Sequence, residues 1–282
     1  MLVDSHQHFW QWSKGWFSRP EPVLSRDYLP TDLDPILKAH GIDKTVVVQT
    51  SPTVAETDFL LELAETADFI GGVVGWLDLE SSDFPGVLEQ YCRNRHFVAV
   101  RPMLECLPDD DWILRPRVMD SLSLIARMDV AFDFLVLTRH LPYILKALEK
   151  TQNLRAVIDH LAKPEIKAGR MHPWQELMRE VALHRNVYCK LSGMVTEADC
   201  QNWSLANLRP YADHIMEQFG AERVMFGSDW PVCLLAASYE QVLSTTRTLV
   251  TSSLGAGADE AVFGGNAARF YHLDSKSSSK LA

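Results

Sequence analysis

Two histidines stand one residue apart near the start of the chain, in Val3-Asp4-Ser5-His6-Gln7-His8-Phe9-Trp10. Alternate side chains of a strand share a face, so the two imidazoles point the same way. Such a pair can hold a divalent metal or polarise a carbonyl. Other reactive groups are scattered through the chain, but each sits at the end of an apolar run. Arg101 and then Glu105 follow Phe97-Val98-Ala99-Val100, and His160 and Lys163 follow Ala156-Val157-Ile158-Asp159. Lys190 and Ser192 belong to Val187-Tyr188-Cys189-Lys190-Leu191-Ser192, and Asp229 follows Met225-Phe226-Gly227-Ser228. A carboxylate closing a buried strand carries a desolvation cost unless something pairs with it, which marks Asp229 as functional. His160 is equally hard to explain as packing. Arg101 has two readings, a rim ion pair with Glu105 or a substrate-binding group. Lys190 reads either as a barrel-interior lysine or as a functional one. His140, before Leu141-Pro142 at a helix start, reads as structural.

These groups need a scaffold that gathers strand ends. β-branched or apolar runs occur at 3–8, 45–49, 70–77, 97–102, 131–136, 156–160, 187–191 and 224–228. Helical patterns separate and follow them at 31–40, 56–67, 85–93, 116–128, 142–150, 173–184, 208–219, 239–248 and 259–271. Strand–helix units repeated in this way predict an α/β protein, a parallel (β/α)8 TIM barrel. An open doubly wound sheet shows the same alternation. The number of units and a length near the barrel norm of about 250 residues favour the closed form. In such a barrel, catalytic groups lie at the C-terminal ends of the strands, where the residues above fall. The stretch 10–28 is too long for a tight loop and is expected to cover the barrel mouth as a lid. A single domain over 1–273 is expected, with the Ser/Lys-rich segment 274–282 as a disordered tail.

With a hydrophobic share of 47%, the 282-residue chain can bury a large core. A net charge of −10 opposes binding to nucleic acid or an anionic membrane, so neither partner is expected. No apolar run approaches the roughly 18 residues of a membrane span. The opening residues read as a strand rather than a secretory leader. The five cysteines are scattered without a CxxC, which argues against disulfides and zinc knuckles and for a reducing cytoplasm.

Taken as a set, HQHFW at 6–10, RPM at 101–103, DHLAKP at 159–164, KLSG at 190–193 and GSDWP at 227–231 resemble the amidohydrolase superfamily. The resemblance is narrower to its amidohydrolase-2 branch of sugar-acid lactonases, which includes L-fuconolactonases, L-rhamnonolactonases and 2-pyrone-4,6-dicarboxylate lactonases. It runs from Val3 to about Tyr271. It implies a (β/α)8 barrel that opens a cyclic ester, with L-fucono-1,5-lactone or a similar aldonolactone as the expected small-molecule partner. It also carries functional roles to His6, His8, His160 and Asp229, and carboxylate- or hydroxyl-binding roles to Arg101 and Lys163. Many amidohydrolases use a carbamylated lysine and two metals. Here the fourth strand ends in Arg101, so one ion at most is expected, zinc for choice and dispensable. Its candidate ligands are His6, His8, His160, Asp229 and Glu105.

On this reading Asp229 is the general base and proton shuttle, with His160 as a catalytic partner. The oxyanion is met by the imidazoles or by zinc. Lys163, Lys190, Trp10 and Trp230 are candidates for holding the sugar. A metal-dependent decarboxylase of an unsaturated carboxylate and a pyrone dicarboxylate lactonase are the alternatives on the same barrel. A metal-dependent nuclease is disfavoured by the acidic charge, and a barrel that only binds a sugar acid is disfavoured by the full residue set.

Overall fold

A computed structural model describes residues 1–17 and 21–273; the expected tail, 274–282, lies outside them. The eight strands are β1 (Val3–Gln7), β2 (Lys44–Val48), β3 (Ile70–Gly75), β4 (Phe97–Val100), β5 (Ala131–Phe134), β6 (Ala156–Ile158), β7 (Val187–Leu191) and β8 (Val224–Phe226). Each pairs in parallel with the next, in sequence order. The ring closes beyond the strand ends: Asp229 N–H donates to His6 O at 2.8 Å and His8 N–H to Trp230 O at 2.7 Å. Below this seam the buried Asp4 carboxylate accepts from Ser228 N–H at 2.9 Å and from Tyr239 O–H at 3.1 Å. Burial pushes that carboxyl up to about 6. The fold is the single (β/α)8 barrel that the alternation predicts.

Each strand alternates between two apolar layers. One set, including Val46, Val48, Val74, Val98 and Val157, forms an inner cluster with Phe270 and Tyr271 of the last helix (Asn266–Tyr271). The alternate set, including Val47, Val73, Phe132 and Ile158, joins a larger cluster shared with the surrounding helices. A sheet buried on both faces explains why the strands read as nearly unbroken apolar runs. Pro30, Pro85, Pro116 and Pro142 sit in the first turn of their helices, where a missing N–H costs nothing.

The strands end earlier than the apolar runs suggest, because the chain leaves extended geometry to form the site. His160, Leu161, Ala162 and Lys163 all have positive φ, at 51°, 56°, 59° and 48°. The turn is held by Trp174 Nε1–H donating to Leu161 O at 2.6 Å and by Lys163 N–H donating to His160 O at 2.8 Å. The expected last helix divides into a π turn (Ala261–Gly265) and the helix Asn266–Tyr271. Among the described residues, no helix is long and apolar enough to cross a membrane.

Candidate active site

β1 carries His6, His8 follows directly after its end, the turn after β6 presents His160, and the turn after β8 presents Asp229 at φ 57°. Their reactive atoms converge on one carboxylate oxygen. Asp229 Oδ1 lies 3.2 Å from His8 Nε2 and 3.9 Å from both His6 Nε2 and His160 Nε2. The His6 ring centroid is 4.9 Å from that of His8 and 4.4 Å from that of His160. Positive φ at bulky residues costs of order 1 kcal/mol or more each, and here it aims His160 and Asp229 at a common point.

Protonation follows from burial and neighbours. Burial pushes His6 well below its ordinary range, and the nearby Lys190 charge adds to the effect. Burial lowers His160 to about 4, against the pull of Asp229 and Asp159. Burial alone would raise Asp229, but His160, His8 and His6 outweigh it and hold the carboxyl well below the usual range. At neutral pH the site therefore pairs an ionised carboxylate with neutral His6 and His160.

The donor set fits a divalent cation. His8 Nδ1 lies 2.7 Å from Val48 O, so it carries the proton and leaves Nε2 a lone pair facing Asp229. His6 Nε2 is fully buried and has no hydrogen-bond partner among the described residues. The ligand atoms of His6, His8 and Asp229 lie within 4.8 Å of one another, as do those of His6, Asp159 and His160. Nitrogen and carboxylate oxygen in this combination suit zinc.

A charged layer beneath fixes these rings. Lys190 Nζ donates to Asp133 Oδ2 at 2.6 Å, lies 2.9 Å from Asp159 Oδ1 and 3.1 Å from His6 Nδ1. Arg101 pairs with Asp159 Oδ2 at 3.1 Å and donates to Gln49 Oε1 from Nε at 2.9 Å and from its second terminal nitrogen at 2.6 Å. The two cations match the two carboxylates. Ser192 Oγ sits 2.8 Å from His160 Nδ1 and fixes that ring.

Above the convergence lies a cavity of about 230 Å³. It is smaller than the roughly 300–1,000 Å³ typical for drug-sized ligands, so it suits one small ring. Its polar lining includes Thr50, Arg101, Glu105, Lys163 and Glu197, and its apolar lining includes Trp16, Phe17 and Met103. The 10–28 stretch therefore reaches the mouth through Trp16 and Phe17. Trp10 stacks on Phe17 with centroids 4.2 Å apart.

Several expected site residues take other places in the structure. Lys190 is completely buried, pairs with Asp133, Asp159 and His6, and does not line the cavity. Trp10 is also completely buried, and its indole N–H is taken by Arg26 O at 2.8 Å. Trp230 packs edge-on against Tyr28 and Phe9 and does not line the cavity. Glu105 pairs with Lys163 at 2.5 Å and belongs to neither cluster of metal-type ligands. Arg101 pairs with Asp159 rather than with Glu105. His140 has the structural place expected of it, accepting from Leu137 N–H at 3.0 Å. Sequence reasoning passed over Asp133, Gln49, Thr50 and Glu197. Only Asp133, a carboxylate inside an apolar strand, carried a readable signal.

Fold and site together define a barrel enzyme of the hydrolase type, built on strand-end imidazoles and a carboxylate. The chain belongs to the amidohydrolase family, whose profile matches residues 3–273. It is 42% identical to an L-fucono-1,5-lactonase of Burkholderia ambifaria, over 99% of this chain and 98% of that one. It is 35% identical to an L-fucono-1,5-lactonase of Burkholderia multivorans, over 100% of this chain and 99% of that one. A crystal structure of an amidohydrolase from Burkholderia multivorans with bound Zn superposes with a TM-score of 0.92 at 34% identity, covering 97% of this chain and 99% of that one.

Proposed function

We propose that this chain hydrolyses the ester of a sugar-acid lactone, L-fucono-1,5-lactone or a close aldonolactone, to the open aldonate. The observation that carries the reading is the convergence of three imidazole Nε2 atoms on Asp229 Oδ1 at the floor of a one-ring cavity. The two lactonase relatives, alike over nearly the whole chain, support the substrate class.

The cavity suits a neutral, hydroxyl-rich ring. Both Lys and Arg side chains that line it already have carboxylate partners, Arg101 in Asp159 and Lys163 in Glu105. A pyrone dicarboxylate would need cations free to meet two negative charges. A sugar hydroxyl can instead donate to Glu105 and accept from Lys163 without breaking their pair.

Asp229 takes a proton from a water molecule as its oxygen attacks the lactone carbonyl carbon. The carbonyl oxygen gains the electron pair and is met by His160 Nε2–H, with Ser192 O–H donating to Nδ1 to hold that tautomer. The tetrahedral centre then collapses and breaks the bond to the ring oxygen. Asp229 returns its proton there, leaving a carboxylic acid that ionises in water. His6, His8 and Asp229 would hold a zinc ion, whose chemistry when bound is to polarise the carbonyl as a Lewis acid.

A pH-indicator screen of aldono-1,4- and 1,5-lactones tests the proposal, run with zinc and with chelator, since hydrolysis releases a proton. L-fucono-1,5-lactone and its close stereochemical relatives are expected to turn over fastest. Inertness toward every aldonolactone, with turnover of a pyrone dicarboxylate, would overturn it.

A further inference from the structure

We infer that Lys190 and Asp159 are positioning residues that set the tautomer of His6, and that cation binding switches His6 from one of them to the other. The inference rests on the cation site of the proposed function but not on its substrate.

His6 Nδ1 faces two groups of opposite hydrogen-bonding character. Lys190 Nζ lies 3.1 Å away and can only donate when it carries its charge. Asp159 Oδ1 lies 3.4 Å away and can only accept. With Lys190 donating, Nδ1 is an acceptor and the ring proton sits on Nε2, pointing toward Asp229 Oδ1. Among the described residues that arrangement leaves the buried His6 Nε2 without a hydrogen-bond partner, and Asp159 Oδ1 with only the ion pair to Lys190 at 2.9 Å. The other tautomer satisfies both. Nδ1–H donates to Asp159 Oδ1, and the Nε2 lone pair is free for a cation shared with His8 Nε2 and Asp229 Oδ1.

The buried layer can support either state. Lys190 holds Asp133 Oδ2 at 2.6 Å and Asp159 holds Arg101 at 3.1 Å through its second oxygen, and neither contact depends on which His6 nitrogen carries the proton. The ring loses one proton at Nε2 and gains one at Nδ1, so its charge does not change. In the metal-free protein His6 thus carries its proton on Nε2 with Asp229 Oδ1 3.9 Å away, and on cation binding it becomes a ligand. Lys190 opposes the second state and Asp159 favours it.

Long-range proton–nitrogen NMR of histidine-labelled, metal-free protein reads the tautomer directly, with His6 assigned by loss of its signals in His6→Gln. The Nε2–H form is expected without metal and the Nδ1–H form at zinc saturation. Nδ1–H in the metal-free protein, or Nε2–H retained with zinc bound, would overturn the inference. Zinc affinity gives a second readout. Asp159→Asn should weaken it by about 10–100-fold, the usual range for groups that orient a metal's histidine. The double variant Lys190→Met/Asp133→Asn keeps Arg101 and Asp159 as a balanced pair and should bind zinc more tightly, by about tenfold. A purely structural lysine predicts weaker zinc binding in that variant, and such a result counts against the switch. The wild-type spectra decide the question even where a variant does not fold, and failure of the lactone screen leaves them unaffected.

Discussion

Replacing Asp229 with Asn removes the proposed base while leaving its surroundings nearly unchanged. The residue sits at φ 57°, and among residues with a side chain Asn tolerates that region best. Its backbone N–H bond to His6 O, at 2.8 Å, is kept. The amide can donate to His8 Nε2, which lies 3.2 Å from the present carboxylate oxygen. What is lost to stability is one charge-assisted contact, about 1.5–3 kcal/mol. For a chain of this size that lowers Tm by roughly 3–12 °C. What is lost to catalysis is larger. A positioned general base contributes about 10²–10⁴ in rate, or roughly 3–5 kcal/mol of barrier. The expected result is a folded protein whose kcat on its best lactone falls by at least about a hundredfold. Initial rates by pH indicator, with melting followed by circular dichroism, give both quantities on one preparation. A folded Asn variant within tenfold of the parent rate would refute the base assignment.

Burial lowers His160 to about 4, so between its unfolded value near 6.5 and that point the unfolded chain binds more protons. Its contribution to stability is therefore complete above about pH 6.5 and is lost as pH falls toward 4, by up to about 3 kcal/mol. Urea titrations at pH 7 and 4.5 should show a smaller difference for His160→Gln than for the parent, and equal differences would contradict the reasoning. Gly193→Ala should reduce activity at least tenfold and lower Tm, because its Cβ would lie 2.7 Å from His160 Nδ1 at a φ of +65°; parent-like rates would show that the His160 ring has room to move. Lys163→Met removes a cavity-lining partner of Glu105 and is expected to raise KM by about tenfold (the worth of one hydrogen bond to a charged group) with a smaller change in kcat. An unchanged KM would remove Lys163 from substrate binding.

Much of this architecture is legible in the sequence because the physics that specifies it is local. Strand–helix alternation, prolines in first helical turns and apolar runs buried on both faces place all eight strands, with errors mostly at their C-terminal ends. Those errors arise where local rules stop applying. Nothing in Asp159-His160-Leu161-Ala162-Lys163 announces four successive left-handed residues, since no glycine is present to mark them. Polar residues ending apolar strands single out His6, His8, His160 and Asp229, which the fold brings together, because burial makes such groups expensive without a purpose. The same rule also picks out Lys190, which lies in the charged layer rather than in the cavity lining. A buried lysine at a strand end signals a charge network, and whether it faces the cavity or the layer beneath depends on partners from other strands. Asp133 and Asp159, which hold it, lie 57 and 31 positions away in sequence. Trp10 and Trp230 stand next to site motifs, yet they serve by wedging Phe17, Tyr28 and Phe9 into place.

The electrostatics of the cluster limit how it can work. Burial keeps His6 and His160 neutral, yet Asp229 among them is held ionised far below its ordinary range. A carboxylate in that condition is a weak base, and by Brønsted reasoning a weak base deprotonates water well only when the electrophile is strongly activated. The contact between His8 Nε2 and Asp229 Oδ1 points the same way. With His8 Nδ1 committed to Val48 O, two acceptors would face each other at 3.2 Å unless a positive charge joins them. A proton there makes an ion pair, and a divalent cation makes a Lewis-acid centre. Because the two compete for the same lone pairs, cation binding should weaken as pH falls, and activity lost to acid should be recovered by added zinc. Activity that falls identically in acid with and without saturating zinc would show that the two do not share this site.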